Sequence, residues 1–179
     1  TILDAGPGLA NAASGNRLAL QTPRLTVDHN ATSQLSASCL AFAAHCSDQA
    51  GATLADRVVS LDWPDREAAR QDKFRGQFWP DDLLRAVDAD KVAQDAGIPL
   101  QMAGVVHDFG RVIEPTRLCQ HLAGSTPIIT DVKISDITRG DHGLMLIAED
   151  GRWFRFDQIV VATGAGLSKT MRQLAIAGV

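Results

Sequence analysis

Asp157-Gln158-Ile159-Val160-Val161-Ala162-Thr163-Gly164-Ala165-Gly166 reads as a strand that enters a glycine turn and then a helix. Gln158 to Val161 is the strand, the glycines allow the change of direction, and a helical pattern continues through Leu174. That order is the arrangement of a nucleotide-binding α/β domain. Glycines after a buried strand let the backbone approach a ligand, and a helix start offers amide donors to negative charge. From this stretch alone an ordinary strand-to-helix turn reads equally well.

Upstream, Thr126 to Thr130, Val132 to Thr138, Leu144 to Ala148 and Trp153 to Val161 read as strands. Gly140-Asp141-His142-Gly143 and Glu149-Asp150-Gly151 serve as hairpin turns. Before them, Pro115 to Leu122 reads as a helix, with Pro in its first turn and Gly124 after its end. Val105 to Val106 and Val112 to Ile113 suggest two short strands around Asp108-Phe109-Gly110. Asp88 to Ala96 is helical and stops at Gly97 with Pro99 beyond. Arg57 to Trp63 is a short strand ending at Pro64, followed by a charged helical segment. From Asp28 to Cys46, Leu35, Cys39, Phe42 and Cys46 recur at steps of three and four, which predicts an amphipathic helix with those residues on its apolar face. The start, Ile2-Leu3-Asp4 before Gly6-Pro7-Gly8, is the end of a buried strand meeting a turn. Loop with a short helical piece carries the chain to about Leu25.

Composition bounds what such a chain does. The 179 residues carry 17 Lys plus Arg and 21 Asp plus Glu, a net charge of −4, and contain no Tyr. This argues against a module built on basic stripes or aromatic platforms for nucleic acid, so any such contact is local. No apolar run approaches the roughly 20 residues of a membrane-spanning helix. Cys39, Cys46 and Cys119 carry no CxxC spacing, and the five histidines form no metal-ligand pattern. No metal is expected, and a reducing, cytoplasmic compartment is the default. The histidines are expected in surface or satisfied core roles, with His107 the one that could line a pocket. With no initiator Met, the chain reads as cut from something longer.

Asp4 at the carboxyl end of a parallel strand has the chemistry to accept hydrogen bonds from both ribose hydroxyls of an adenosine. Alone it reads as a solvated turn acid. Gly6-Pro7-Gly8-Leu9-Ala10-Asn11 does not complete a dinucleotide fingerprint, because the third glycine is missing. Asp108-Phe109-Gly110 has none of the other kinase motifs beside it. Asn30-Ala31-Thr32 spells a glycosylation sequon but falls on the predicted helix. Arg57, Arg66, Arg70, Lys73 and Arg75 read more readily as a solvated helix face than as a basic docking face.

Taken together, the acidic strand end, Ala13-Ser14-Gly15-Asn16-Arg17, the helix, Gly110-Arg111-Val112-Ile113-Glu114-Pro115-Thr116-Arg117-Leu118 and the Asp157 to Gly166 stretch resemble the D-amino-acid-oxidase-like FAD oxidoreductases. Within them the chain is most similar to the C-terminal oxidoreductase domain of the bifunctional tRNA 5-methylaminomethyl-2-thiouridine biosynthesis family. The likeness runs through essentially the whole chain. It implies an α/β fold: an FAD/NAD(P)-binding (Rossmann-like) domain fragment with part of an α+β substrate domain. Residues 1–56 would form part of the FAD-binding domain, 57–113 part of the substrate domain, and 114–179 the return to the FAD-binding domain.

The resemblance also implies that Asp4 binds the FAD ribose, that Ser14, Gly15, Asn16 and Arg17 line the flavin and phosphate region, and that Thr163 and Gly164 lie beside the cofactor. The family reaction oxidises a carbon–nitrogen bond, with hydride passing to the flavin and water hydrolysing the imine. On a carboxymethylaminomethyl wobble uridine of tRNA this removes the carboxymethyl group as glyoxylate. A general amine or amino-acid oxidase and a truncated, non-catalytic domain are the alternatives. No catalytic residue is assigned, and no S-adenosylmethionine-binding segment is read. The family's GxGxxG strand unit and C-terminal part lie outside this sequence. The expectation is therefore a fragment whose sheet lacks its central strand, with weak or absent FAD binding and self-association through exposed sheet edges.

Overall fold

In the computed structural model, residues 1–24, 30–61, 79–80, 83–140, 143–167 and 170 are described. The chain forms two compact units: residues 12–124, and residues 1–11 together with 125–179.

Among the described residues the first unit is a four-stranded antiparallel sheet with helices. Its strands are β2 (Ala19–Gln21), β3 (Thr53–Leu61), β4 (Leu84–Val87) and β5 (Gly104–Ile113). β5 is central and pairs with each of the other three. β3 runs beside its whole length, from Thr53 opposite Ile113 to Leu61 opposite Gly104, with two register shifts. β4 and β2 pair with its two halves, Leu84 opposite His107 and Gln21 opposite Arg111.

The two short strands expected around Asp108-Phe109-Gly110 are thus one continuous strand, and those residues are not a turn. A Cβ on Gly110 would lie 2.9 Å from Val58 Cβ, so this glycine admits β3 at close range. Gly104 has the same role, since a Cβ there would meet the Ser60 carbonyl oxygen at 2.7 Å. Asp108 lies at the register shift, where its amide donates to the Leu83 carbonyl at 3.3 Å and its carboxylate pairs with Arg85 on β4 at 2.9 Å.

Helix α1 (Ala31–Gln49) starts where Asn30 Oδ1 accepts from the Ser33 amide at 3.1 Å. The Asn30 of the sequon spelling is therefore the helix cap. Gly51, at φ +61°, turns the chain just past the helix end. The helix matches expectation, but its buried face does not. Ser33, Ala37, Leu40, Ala44 and Ser47 are buried, whereas Leu35 and Phe42 are 65% and 70% exposed. Small side chains let a helix lie close against a sheet, and that outweighs the apolar bulk of Leu35 and Phe42 here. Ser47 is kept satisfied by donating to Gln21 Oε1 at 3.1 Å. The core joins Ala37, Trp79, Leu83, Leu84 and Val105, with Phe109 packed against it. Full burial of each large apolar side chain contributes about 1.5–3 kcal/mol.

Helix α2 (Ala89–Ala96) is capped by Asp88, which accepts from the Lys91 amide at 2.8 Å, and ends at Gly97 with φ +68°. Helix α3 (Pro115–Ala123) begins with Pro and is followed by Gly124, as expected. The charged segment after Pro64, with Arg66, Arg70, Lys73 and Arg75, lies outside the described residues.

The second unit holds a parallel pair, β1 (Ile2–Leu3) and β6 (Ile128–Ile129), with Ile2 opposite Ile128. It also holds an antiparallel meander of β7 (Ile134–Gly140), β8 (Gly143–Ala148) and β9 (Trp153–Phe156). Gln158 to Val161, expected as a strand, has no strand conformation. A strand exists through its ladder, and among the described residues none pairs with this segment, where Val160 is 89% exposed. Most of the helical segment expected to run through Leu174 lies outside the described residues.

Candidate functional site

Asp4 follows β1 directly. Its amide donates to the Ile129 carbonyl at 3.0 Å, and its own carbonyl accepts from Val132 at 2.9 Å, so its backbone is tied to β6 and to the chain just beyond it. The carboxylate Oδ1 accepts from the Gly6 amide at 2.8 Å. Such a bond to the residue two ahead tightens the turn. Gly6 keeps this turn close, because a Cβ there would stand 3.3 Å from Oδ1. Among the described residues Oδ2 takes no hydrogen bond, and the half-buried side chain leaves it open to a donor.

In the same unit, Thr163 and Gly164 follow the irregular Gln158–Ala162 segment. Gly164 has φ +54° and opens a 3-10 turn, Gly164–Gly166, closed by Gly166 donating to the Thr163 carbonyl at 3.0 Å. The left-handed backbone at Gly164 is one that a Cβ disfavours. Nothing lies within 4 Å of the place a Cβ would take, so conformation alone favours glycine there.

Ser14 to Arg17 belong to the other unit. Ala13–Gly15 is a 3-10 turn, held by Gly15 donating to the Ala12 carbonyl at 2.9 Å. The Thr116 hydroxyl, in the first turn of α3, donates to the Ser14 carbonyl at 3.4 Å. The structure therefore brings this loop to the start of the helix that the Glu114-Pro115 sequence begins. Ser14, Gly15, Asn16 and Arg17 are all exposed. Asp4, Thr163 and Gly164 share one unit and Ser14 to Arg17 the other.

His107 is 8% exposed, on β5. Its Nε2 is 2.9 Å from the Ser60 hydroxyl on β3, and its Nδ1 is buried with no partner among the described residues. Burial pushes its pKa below the ordinary histidine value, against the smaller opposing pull of Asp108. Ser60 escaped the sequence reading because 47 residues separate it from His107; only the β3–β5 register joins them. Asp108 does not extend the pair, since it is engaged by Arg85.

Among the described residues no group of three or more His, Cys, Asp or Glu is placed to hold a metal ion. None of the described helices is long and apolar enough to cross a membrane.

No family model matches the chain. It is 30% identical over 164 residues to the tRNA 5-methylaminomethyl-2-thiouridine biosynthesis bifunctional protein MnmC of Marinobacter nauticus, covering 89% of this chain and 26% of that protein. Against the protein of the same name from Aliivibrio fischeri the identity is 28% over 167 residues, with coverages of 87% and 24%. The chain thus spans about a quarter of the length of the curated relatives it matches. In structure it is similar to glycine oxidase from Geobacillus kaustophilus, with TM-score 0.71 and 16% identity over 96% of this chain and 50% of that one. L-Amino acid deaminase from Proteus myxofaciens gives TM-score 0.68 and 14% identity over 92% and 40%. The resemblance drawn from the residues stands, and the α/β fold class agrees with these neighbours.

Proposed function

We propose that this chain is part of an FAD-dependent oxidoreductase that oxidises a carbon–nitrogen bond of a modified uridine at the tRNA wobble position, removing a carboxymethyl group as glyoxylate. Its similarity to the tRNA-modifying relatives over nearly nine tenths of its length supports the substrate. The fold it shares with amino acid oxidases and deaminases supports the reaction class. In this reading residues 1–56 and 114–179 serve the FAD-binding domain and 57–113 the substrate domain, and the protein works in the cytoplasm.

The observation that carries the proposal is the carboxylate of Asp4. It stands at the carboxyl end of a parallel strand, with Oδ1 engaged by Gly6 and Oδ2 open. An acid so placed accepts ribose hydroxyl hydrogen bonds. The small residues agree with this. Gly6 leaves room beside the carboxylate, and Gly164 supplies a left-handed turn. In the proposal Asp4 holds the ribose, Ser14 to Arg17 meet the flavin and phosphates, and Thr163 and Gly164 flank the cofactor. When bound, FAD supplies the two-electron acceptor. The chain's residues supply binding, orientation and exclusion of water.

Titration of the chain with FAD, followed by flavin fluorescence, gives weak saturable binding that Asp4→Ala lowers at least tenfold. Binding indifferent to Asp4→Ala overturns the ribose assignment. Glyoxylate release from hypomodified tRNA by the FAD-loaded protein, set against oxidation of free glycine or sarcosine, separates the tRNA reading from a general amine oxidase.

A further inference from the structure

The β7–β8–β9 meander has two unlike faces. Leu146 and Ala148 of β8 are 6% and 3% exposed, so the face they share with Phe154 and Phe156 is turned inward. On the other face Ile147 stands opposite Trp153, and Met145 opposite Arg155. Trp153 is 66% exposed on this open face. Arg155, two residues on and on the same face, is exposed and has no hydrogen-bond or ion-pair partner among the described residues. The neighbouring cations differ: Arg152 pairs with Asp150 at 2.6 Å and Lys133 with Glu149 at 2.6 Å.

We propose that Trp153 and Arg155 form a docking point for one unpaired nucleotide of an RNA, its base stacked on the indole and its phosphate held by the guanidinium. This rests on the tRNA reading of the function and adds a contact to it. Residues two apart on a strand stand about 7 Å apart on one face, a span comparable with that from a base to its own phosphate. The unpaired guanidinium complements a phosphate, and an indole face stacks with any base. A second protein copy fits less well. A stable interface covers about 800 Å² per partner, whereas this face offers one exposed aromatic beside the half-buried Ile147 and Met145, with the polar Asp136 and Thr138 beyond them on β7. A chain of net charge −4 without Tyr is also one whose RNA contact is confined to a few residues.

The test is fluorescence anisotropy of the full chain with a labelled anticodon stem-loop RNA carrying an unmodified wobble uridine, against a blunt duplex of equal length, at several salt concentrations. The stem-loop binds more tightly than the duplex. Trp153→Ala weakens stem-loop binding roughly tenfold or more, and Trp153→Phe restores most of it. Arg155→Gln lowers the slope of log affinity against log salt by about 0.7. Equal binding by Trp153→Ala, equal binding of the duplex, or no RNA binding overturns the proposal. So does loss of self-association in Trp153→Ala with RNA binding unchanged, which assigns the face to a second copy. FAD binding is the control. Trp153→Ala leaves it unaltered and Asp4→Ala leaves RNA binding unaltered, so failure of the flavin reading and failure of the docking point are distinguished.

Discussion

Arg111 closes a two-pronged grip on Asp48, its Nε and Nη2 donating to Oδ1 and Oδ2 at 3.2 and 3.1 Å. Its remaining nitrogen, Nη1, donates to the carbonyls of Asp108 and Gly110, both at 3.0 Å. One guanidinium thus ties the last turn of α1 to β5. The Arg111 side chain is 13% exposed and that of Asp48 47%, so water screens one end of the pair.

Asp48→Asn therefore destabilises the protein by about 1 kcal/mol, a figure reduced for the exposed end. Arg111→Lys does the same or worse, because an ammonium cannot reproduce the fork. The Arg111 guanidinium, helped by the Thr53 hydroxyl, holds the Asp48 carboxyl below the usual range. Its contribution is complete above the unfolded carboxylate value and disappears as pH falls through the lowered one. Urea midpoints at pH 7 and pH 3 check this, with the gap between wild type and Asp48→Asn closing at the lower pH.

His107 gives a second pH dependence. The folded state holds the ring neutral, whereas the unfolded chain takes a proton near the ordinary value of 6.5. Stability from this group is complete above 6.5 and falls as pH drops from there to the lowered folded-state value. The slope is at most about 1.4 kcal/mol per pH unit, the value for one proton. Urea unfolding at pH 7.5 and pH 5.5 measures it. His107→Phe flattens the dependence over that range, while Asp48→Asn leaves it in place.

The turned face of α1 supplies a third test. Phe42→Ser changes stability by no more than about 0.5 kcal/mol, as a surface substitution does. Leu40→Ala costs about 2–4 kcal/mol. Thermal unfolding of the two variants decides it, and the reverse ranking would restore the Leu35–Cys39–Phe42–Cys46 face.

That helix also shows what the sequence reveals and what it hides. Its existence follows from the three-and-four spacing and the absence of Gly and Pro, all local signals, whereas its start does not, since Asn30 read as part of the helix it caps. Which side faces β5 depends on how closely the sheet approaches, and apolar bulk favoured the wrong side. The same distinction separates Gly97 from Gly110. Gly97 ends a helix, as its neighbours announce, whereas Gly110 admits Val58 from a strand some fifty residues earlier, and no nearby residue reports that. β2 (Ala19–Gln21) was missed because three residues carry too little pattern. Gln158 to Val161 has strand composition but no ladder among the described residues. Of the candidate site, the Asp4 turn was legible because an acid before glycine closes on its own backbone. Ser60 beside His107 depends on strand register and Asp48 beside Arg111 on how the helix packs on the sheet, and neither was.

Because β5 has β3 on one side and, on the other, β4 along residues 104–107 and β2 along residues 111–113, its amides are released to solvent in stages. Lifting β4 exposes only the half around Val105 and His107; lifting β2 exposes only the half around Val112. Deuterium exchange therefore divides this one strand into two separately timed segments, and protection common to both reports the opening of β3, the event that dismantles the sheet.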